Sequence, residues 1–291
     1  MAHFDVSPAA AHELLPACRV LFADARAERC RERVLAEADS SGLLVARGPD
    51  GRLRAATLVQ RLPGAVGVIV PPRGDSADAR DAVAAAGCAW LRARGVKVGQ
   101  AFAAADEAAH ALPLEGHGFR HVTQLVFLER AAGGPLDPPV PLLRCSSWPE
   151  ETAPEHRELL LATHEGTADC PELNAPRTAD EIVAGFQPNN AANRMWWTAR
   201  DESGAAVGVL LVVGGEGDVL EISYLGLVPA ARGRGLASAL MRFADRVATA
   251  GGFRTLSVTV DARNAPAMAL YSRAGFVECD RHEVWLASWP G

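Results

Sequence analysis

In the second half of the chain, apolar runs mark three strands in succession, at about Met195–Ala199, Ala206–Val213 and Val219–Val228, the third alternating apolar and polar positions. The third runs into Pro229 and a turn holding Gly233 and Gly235. The period then changes at once from two to 3.6, and Leu236–Ala248 is an unbroken helix-forming run that Gly251 and Gly252 stop. A strand at Thr255–Val260, a short helix at about Ala265–Arg273 and a last strand at about Glu283–Ala287 complete this half. Upstream, Ala153–His164 has a helical pattern whose apolar side is supplied largely by Leu159, Leu160 and Leu161. Thr152 and Glu155 have capping-box spacing at its start, and Thr178 and Glu181 repeat that spacing before a second short helix.

The first half repeats part of this order. Val66–Val70 is a β-rich run ending in Pro71 and Pro72, an Ala-rich helix spans about Ala77–Arg94 with Gly95 as its stop, and a strand covers Val96–Ala101. Gly118-Phe119 and the run Val122–Leu128 then correspond to Gly275-Phe276 and the closing strand. Glycine and proline concentrate between Arg130 and Pro141, which reads as a linker. The expected division is 1–130, a linker at 131–141, and 142–291. The expected class is α/β (an α+β mixed sheet), built as two tandem domains of similar order.

Strand, tight turn and helix start in succession leave backbone N–H groups without partners, and glycine removes side chains where a ligand must approach them. The amides from about Gly233 to Ala237, at the positive end of the helix and beside Arg232 and Arg234, suit a phosphate or pyrophosphate. The dinucleotide pattern G-x-G-x-x-G fits poorly, because Ser238 stands where its last glycine belongs. The nucleotide P-loop fails for lack of a closing Gly-Lys-Ser/Thr. In the first half the same turn reads Arg73-Gly74-Asp75-Ser76-Ala77-Asp78, with two carboxylates that would repel a phosphate and no tyrosine matching Tyr271.

Arg232, Gly235 and Ala237, with Tyr224-Leu-Gly-Leu-Val-Pro229 before them and Asn264 through Phe276 after them, resemble the Gcn5-related N-acetyltransferase (GNAT) family in order and spacing. The resemblance implies a splayed mixed sheet in each domain, with the first a degenerate copy, and acetyl-CoA as co-substrate with CoA as product. It implies cofactor contacts along the strand edge Leu225–Val228, at Arg232, Gly233, Arg234, Gly235, Leu236 and Ala237, and at Asn264, which is equally suited to capping its helix. The N–H of Leu227 or Val228 would stabilise the oxyanion, and Tyr271 would protonate the departing thiolate. Glu221 is the first candidate for the base, with a water relay as the alternative. Strand alternation puts Glu221 and Ser223 on one face, and Ile222 and Tyr224 on the other. The activity implied is acetyl transfer to a primary amine of a small molecule in a ternary complex. A CoA-binding module without turnover is the competing class, and the two-half layout also resembles the tandem-domain mycothiol synthases.

Composition narrows the partners. The 291 residues are 49% hydrophobic with a net charge of −6, which supports a packed core and gives no basic surface for nucleic acid. The six cysteines are scattered without paired spacing, no apolar stretch is long enough for a bilayer, and the first residues do not read as a leader, so a cytoplasmic monomer or homodimer is expected. Acids at 150, 151, 155, 158, 165, 169, 172, 180 and 181 face only Arg157 and Arg177 between residues 150 and 181, an acidic rim suited to a cationic amine. Glu165, Asp169 and Arg177 are the candidate substrate residues. Phe186, Trp196 and Trp197 are candidates for apolar walls, with core packing their default role.

Overall fold

The computed structural model describes residues 4–36, 40–134, 142–148, 154–186, 194–215 and 217–289. Most of the expected linker (135–141) and the capping threonine at 152 lie outside the described residues. In chain order the elements are β1 (Asp5–Pro8), α1 (Leu14–Leu21), α2 (Asp24–Ala36), β2 (Leu43–Arg47), β3 (Leu53–Leu62), β4 (Val66–Ile69), β5 (Arg73–Gly74), α3 (Ala77–Ala93), β6 (Val98–Ala104), α4 (Leu112–Glu115) and β7 (Arg120–Ala131). There follow β8 (Arg144–Ser147), α5 (Pro154–His164), α6 (Ala179–Gly185), β9 (Arg194–Arg200), β10 (Ala206–Gly214), β11 (Val219–Leu227), α7 (Leu236–Ala250), β12 (Thr255–Asp261), α8 (Ala265–Arg273) and β13 (Val277–Ser288). The sequence pattern had marked none of the elements from β1 to β3.

Two compact units emerge, and they do not follow the break near residue 131. One contains Met1–Thr123, Ala175–Arg177 and His282–Gly291; the other contains Gln124–Asn174 and Thr178–Arg281. The cause is strand pairing. In the first unit the end of β13 pairs antiparallel with β6, Trp285 opposite Ala101, while in the second β7 pairs antiparallel with β12, Val126 opposite Val260. Each unit is therefore closed by a strand from the other half of the chain, and a linker read from local composition cannot reveal such non-local pairing.

The first unit pairs β1, β2, β3 and β4 antiparallel in sequence and adds β6 parallel to β4. The start of α3 is filled from within: Ser76 accepts from the Ala79 amide at 3.2 Å, and Asp75 accepts from Arg54. Cys18 on α1 and Cys30 on α2, distant in sequence, have sulfurs 3.3 Å apart with the Cys18 thiol donating. Glu13 takes a two-pronged bond from Arg47, at 2.7 and 2.5 Å, and accepts the Ala10 amide. Arg47 holds its carboxyl well below the ordinary range, at about 2. A carboxylate whose pKa is lowered by folding stabilises above its unfolded pKa, and that stability disappears as pH falls through the folded value. Glu13→Gln should therefore destabilise this unit by about 2–3 kcal/mol at pH 7 and by progressively less towards pH 2, read as thermal unfolding of both proteins across that range.

The second unit orders its strands β7-β12-β11-β10-β9-β8, with β11 and β12 parallel and the other pairs antiparallel. Helix α7 lays Leu236, Ala239, Leu240, Met241, Ala244 and Ala248 into the core at helical spacing, against Leu210, Val212, Leu220 and Ile222 of the sheet. On the opposite face α5 and α6 contribute Leu160 and Val183 to a smaller cluster with Trp196, Val209 and Leu211. The capping box forms at α6 as its sequence requires, Thr178 and Glu181 each accepting the other's amide.

Candidate active site

The site begins where β11 and β12 part. Their parallel ladder covers Val219 to Ile222 against Thr255 to Val258 and then stops, although both strands continue. On its other side β11 stays paired to β10 as far as Leu227, and β12 to β7 as far as Asp261. A bulge lies at the point of separation: Tyr224 opposes Leu211 and Ile222 opposes Val212, so Ser223 has no opposite residue, and its hydroxyl donates to the Leu211 carbonyl. The extra residue reverses the alternation that follows. Ile222 packs with the α7 core, whereas Tyr224 joins the α5 cluster, so these two do not share a face as strict alternation required.

Beyond the bulge, the Val228 amide donates to the Val207 carbonyl. It is thus used in the β10 ladder and is not a free oxyanion donor. By strand alternation the polar backbone groups of Leu225 and the Leu227 amide turn the other way, into the gap, while the Leu227 carbonyl accepts from Arg232. An open ladder edge inside a fold needs hydrogen-bonding partners.

The turn after Pro229 leads into α7 through two left-handed glycines, Gly233 (φ 73°) and Gly235 (φ 77°), conformations that a β-branched residue resists. Gly235 is the N-cap and offers no side-chain oxygen, so among the described residues the amides of 233 to 237 donate to nothing in the protein. This is the opposite of the Ser76 arrangement at α3. Arg232 does not extend towards these amides. Its guanidinium donates to the carbonyls of Leu227 (3.1 Å), Thr163 (3.1 Å), Glu165 (2.6 Å) and Gly166 (3.4 Å), clamping the end of α5 to the end of β11. Arg234 reaches Asp201 at 3.6 Å and does not line the cavity.

A cavity of about 790 Å³ occupies the gap, lined by Ile222 to Leu227, by Gly233 and Gly235 to Ser238, by Val258 to Val260, and by α8. Asn264 caps α8, accepting the Ala267 amide at 3.2 Å, and itself lines the cavity. Tyr271 is 6% exposed, with its ring edge-on to Phe276 at 5.5 Å. Among the described residues its hydroxyl has no protein partner, and burial, reinforced by the charge of Asp169, pushes its phenol above the ordinary value of 10.

The connection from α5 to α6 forms part of the wall. Asp169 lines the cavity and accepts the Asp261 amide at 2.8 Å, while Asp261, fully buried, accepts the Cys170 amide at 3.0 Å in return. Arg263 closes the group, bonding Asp261 at 2.7 Å and Glu172 at 2.7 and 2.9 Å. Cys170 is thereby held at φ 41°, a left-handed non-glycine. Desolvation, together with the Asp261 charge, raises the pKa of Asp169 above that of an ordinary aspartate.

A second polar chain runs beneath. The Thr163 hydroxyl donates to Leu160 O at 2.7 Å, so Tyr224, 3.0 Å away, donates to Thr163. His164 Nδ1 lies 3.1 Å from Leu160 O and 3.2 Å from the Tyr224 oxygen, which requires the proton on Nδ1. Tyr224 curls back over Gly226, where an added Cβ would come within 2.7 Å of its hydroxyl. Burial pushes the Tyr224 phenol up to about 12. Strict alternation would not bring Tyr224 here; only the bulge sends it to this face.

Several candidates fall outside the cavity lining. Glu221 is exposed on the zipped part of β11, opposite Val213 and Ser257. Glu165 is exposed and contributes its carbonyl to Arg232, and Arg177 groups with the first unit. Three acids of the expected rim are committed: Glu172 pairs with Arg263, Asp180 with Arg157, and Glu181 caps α6, while 150 and 151 lie outside the described residues. Trp197 packs on Phe243 in the core, and Phe186 packs on His164 and Tyr224.

Residues 152–276 match the model of the acetyltransferase (GNAT) family, covering the split strands, the turn and α8. They form a GNAT acetyltransferase domain. A 68-residue stretch is 38% identical to a mycothiol acetyltransferase of Corynebacterium efficiens, covering 23% of each chain. The matched stretch thus spans under a quarter of that curated relative. Over nearly the whole length, the fold is similar to a GCN5-related N-acetyltransferase from Sphaerobacter thermophilus (TM-score 0.66, 19% identity, 98% of this chain and 95% of that one). It is also similar to a tandem GNAT protein from the clavulanic acid biosynthesis pathway (TM-score 0.54, 16% identity, 98% of both chains). The GNAT fold is therefore present in a tandem organisation. No helix among the described residues is long and apolar enough to cross a membrane.

Proposed function

We propose that this protein is an acetyl-CoA-dependent N-acetyltransferase acting on a primary amine, with the second unit as its catalytic half. The observation that carries it is the open strand edge at Leu225 and Leu227 leading to a turn whose 233–237 amides have no partner among the described residues, with 233 and 235–237 lining the same cavity. These groups fit the cofactor: the helix-start amides suit its diphosphate, and the strand edge suits an amide-bearing arm. When bound, acetyl-CoA supplies the acetyl group as an activated thioester. The Leu227 N–H donates to the carbonyl oxygen as charge develops there. Tyr271, kept protonated by burial, gives its hydroxyl proton to the leaving sulfur. The amine's proton passes through water to Glu221, which shares the Tyr224 face past the bulge. The first unit, with Ser76 occupying its helix start, is a non-catalytic copy.

CoA binding by calorimetry and turnover with a panel of primary amines test this. Absence of CoA binding rejects the whole reading, and binding without turnover on any amine leaves a CoA-binding module. The likeness to a mycothiol acetyltransferase favours including the amine form of mycothiol in that panel. Glu221→Gln should displace the acidic limb of the pH–rate profile towards alkaline values, because the amine must then lose its proton unaided. An unchanged limb assigns the proton to bulk water.

A further inference from the structure

Of the ionisable residues that line the cavity among those described, Asp169 is the sole carboxylate. One of its oxygens accepts the Asp261 amide, and the other has no partner among the described residues. The surrounding charges do not neutralise it. Asp169, Asp261 and Glu172 are three carboxylates against the single guanidinium of Arg263, which is already shared between Asp261 and Glu172. Two other cations line the cavity: Arg232 spends its donors on four carbonyls, and Arg273 is exposed at the end of α8. A second, independent feature faces the same space: the hydroxyl of Tyr271, a residue more than nine-tenths buried, has no partner among the described residues. A proton donor without a partner and an uncompensated carboxylate therefore share one wall.

We propose that Asp169 is the specificity-determining residue of the acceptor site, receiving the ammonium group of a cationic primary amine on its free carboxylate oxygen. The inference rests on the acetyltransferase reading above and adds the charge state in which the acceptor is recognised. Asp261 is a positioning residue: its amide fixes one oxygen of Asp169, and its buried carboxylate holds the Cys170 amide, so the free oxygen is aimed by a brace on both sides. A carboxylate oxygen without a protein partner on the cavity wall gains from a cation, whereas a neutral hydroxyl in the same place gains little.

The test compares wild type with Asp169→Asn, which keeps an oxygen for the Asp261 amide and removes only the charge. KM for the best amine of the panel should rise about 10- to 100-fold, the CoA dissociation constant should stay within about twofold, and Asp169→Glu should recover part of the loss. A competition series adds a readout that a merely structural role would not move. Wild type should prefer an ammonium-bearing inhibitor to its neutral hydroxyl counterpart, and Asp169→Asn should lose that preference. Unfolding midpoints establish that both variants are folded. If wild type acetylates amines and Asp169→Asn keeps both KM and the preference, the assignment of Asp169 is wrong while the acetyltransferase reading stands. If wild type neither binds CoA nor acetylates any amine, that reading fails and takes this one with it.

Discussion

Tyr271→Phe should lower kcat about 10²- to 10³-fold while leaving CoA affinity within about threefold and the unfolding midpoint unchanged. The asymmetry follows from the surroundings of one oxygen. The ring is packed against Phe276, so phenylalanine fills the same space, and the hydroxyl has no protein partner among the described residues, so its removal orphans nothing. A tyrosine serving only to pack would show no kinetic effect, and turnover equal to wild type would end its role as the acid. Burial and the Asp169 charge both hold the phenol above its ordinary 10. Its protonated form therefore persists through neutral and mildly alkaline pH. Any alkaline loss of kcat below about pH 9 belongs to another group, and in Tyr271→Phe that loss should survive unchanged.

The second large effect concerns the backbone. Gly235→Val should weaken CoA binding by about 100-fold or more, measured by calorimetry. Gly235 sits at φ 77° as the N-cap of α7, and a β-branched residue does not tolerate that region without moving the turn. The movement disperses amides that otherwise converge on one anion, and each hydrogen bond to a charged group is worth about 1.5–3 kcal/mol. Losing two of them accounts for the expected change. Gly252→Val is the control. It carries the same left-handed strain, at φ 78°, just past the other end of the same helix and outside the cavity lining. It should cost stability similarly and leave CoA affinity alone; equal loss in both variants would mean that the turn amides are not the anion site.

How much of this was legible in the sequence depended on the range of the interactions. The Leu236 helix, its glycine stop, the Asn264 cap and the Thr178 capping box each depend on residues within a turn or two, and each formed where the spacing required. The location of the cavity followed from the same local signal, strand then glycine turn then helix. The Ser223 bulge was not legible, because it is defined by a register against β10, and it moved Tyr224 to the opposite face. Arg232 likewise looked like a ligand for phosphate, but its guanidinium is held by carbonyls some 66 to 69 residues earlier in the chain.

What the sequence alone determined is the order of elements in the second half, the GNAT family model that residues 152–276 match, and the glycines of its turn, since these rest on local periodicity and short motifs. What only the tertiary structure decided is which strands close each unit and which carboxylate faces the cavity. β7 and β13 exchange partners between halves, and Asp169 meets Asp261 across 92 residues. Such contacts are chosen by which edges and charges the finished fold brings together, and no stretch of chain carries that choice by itself.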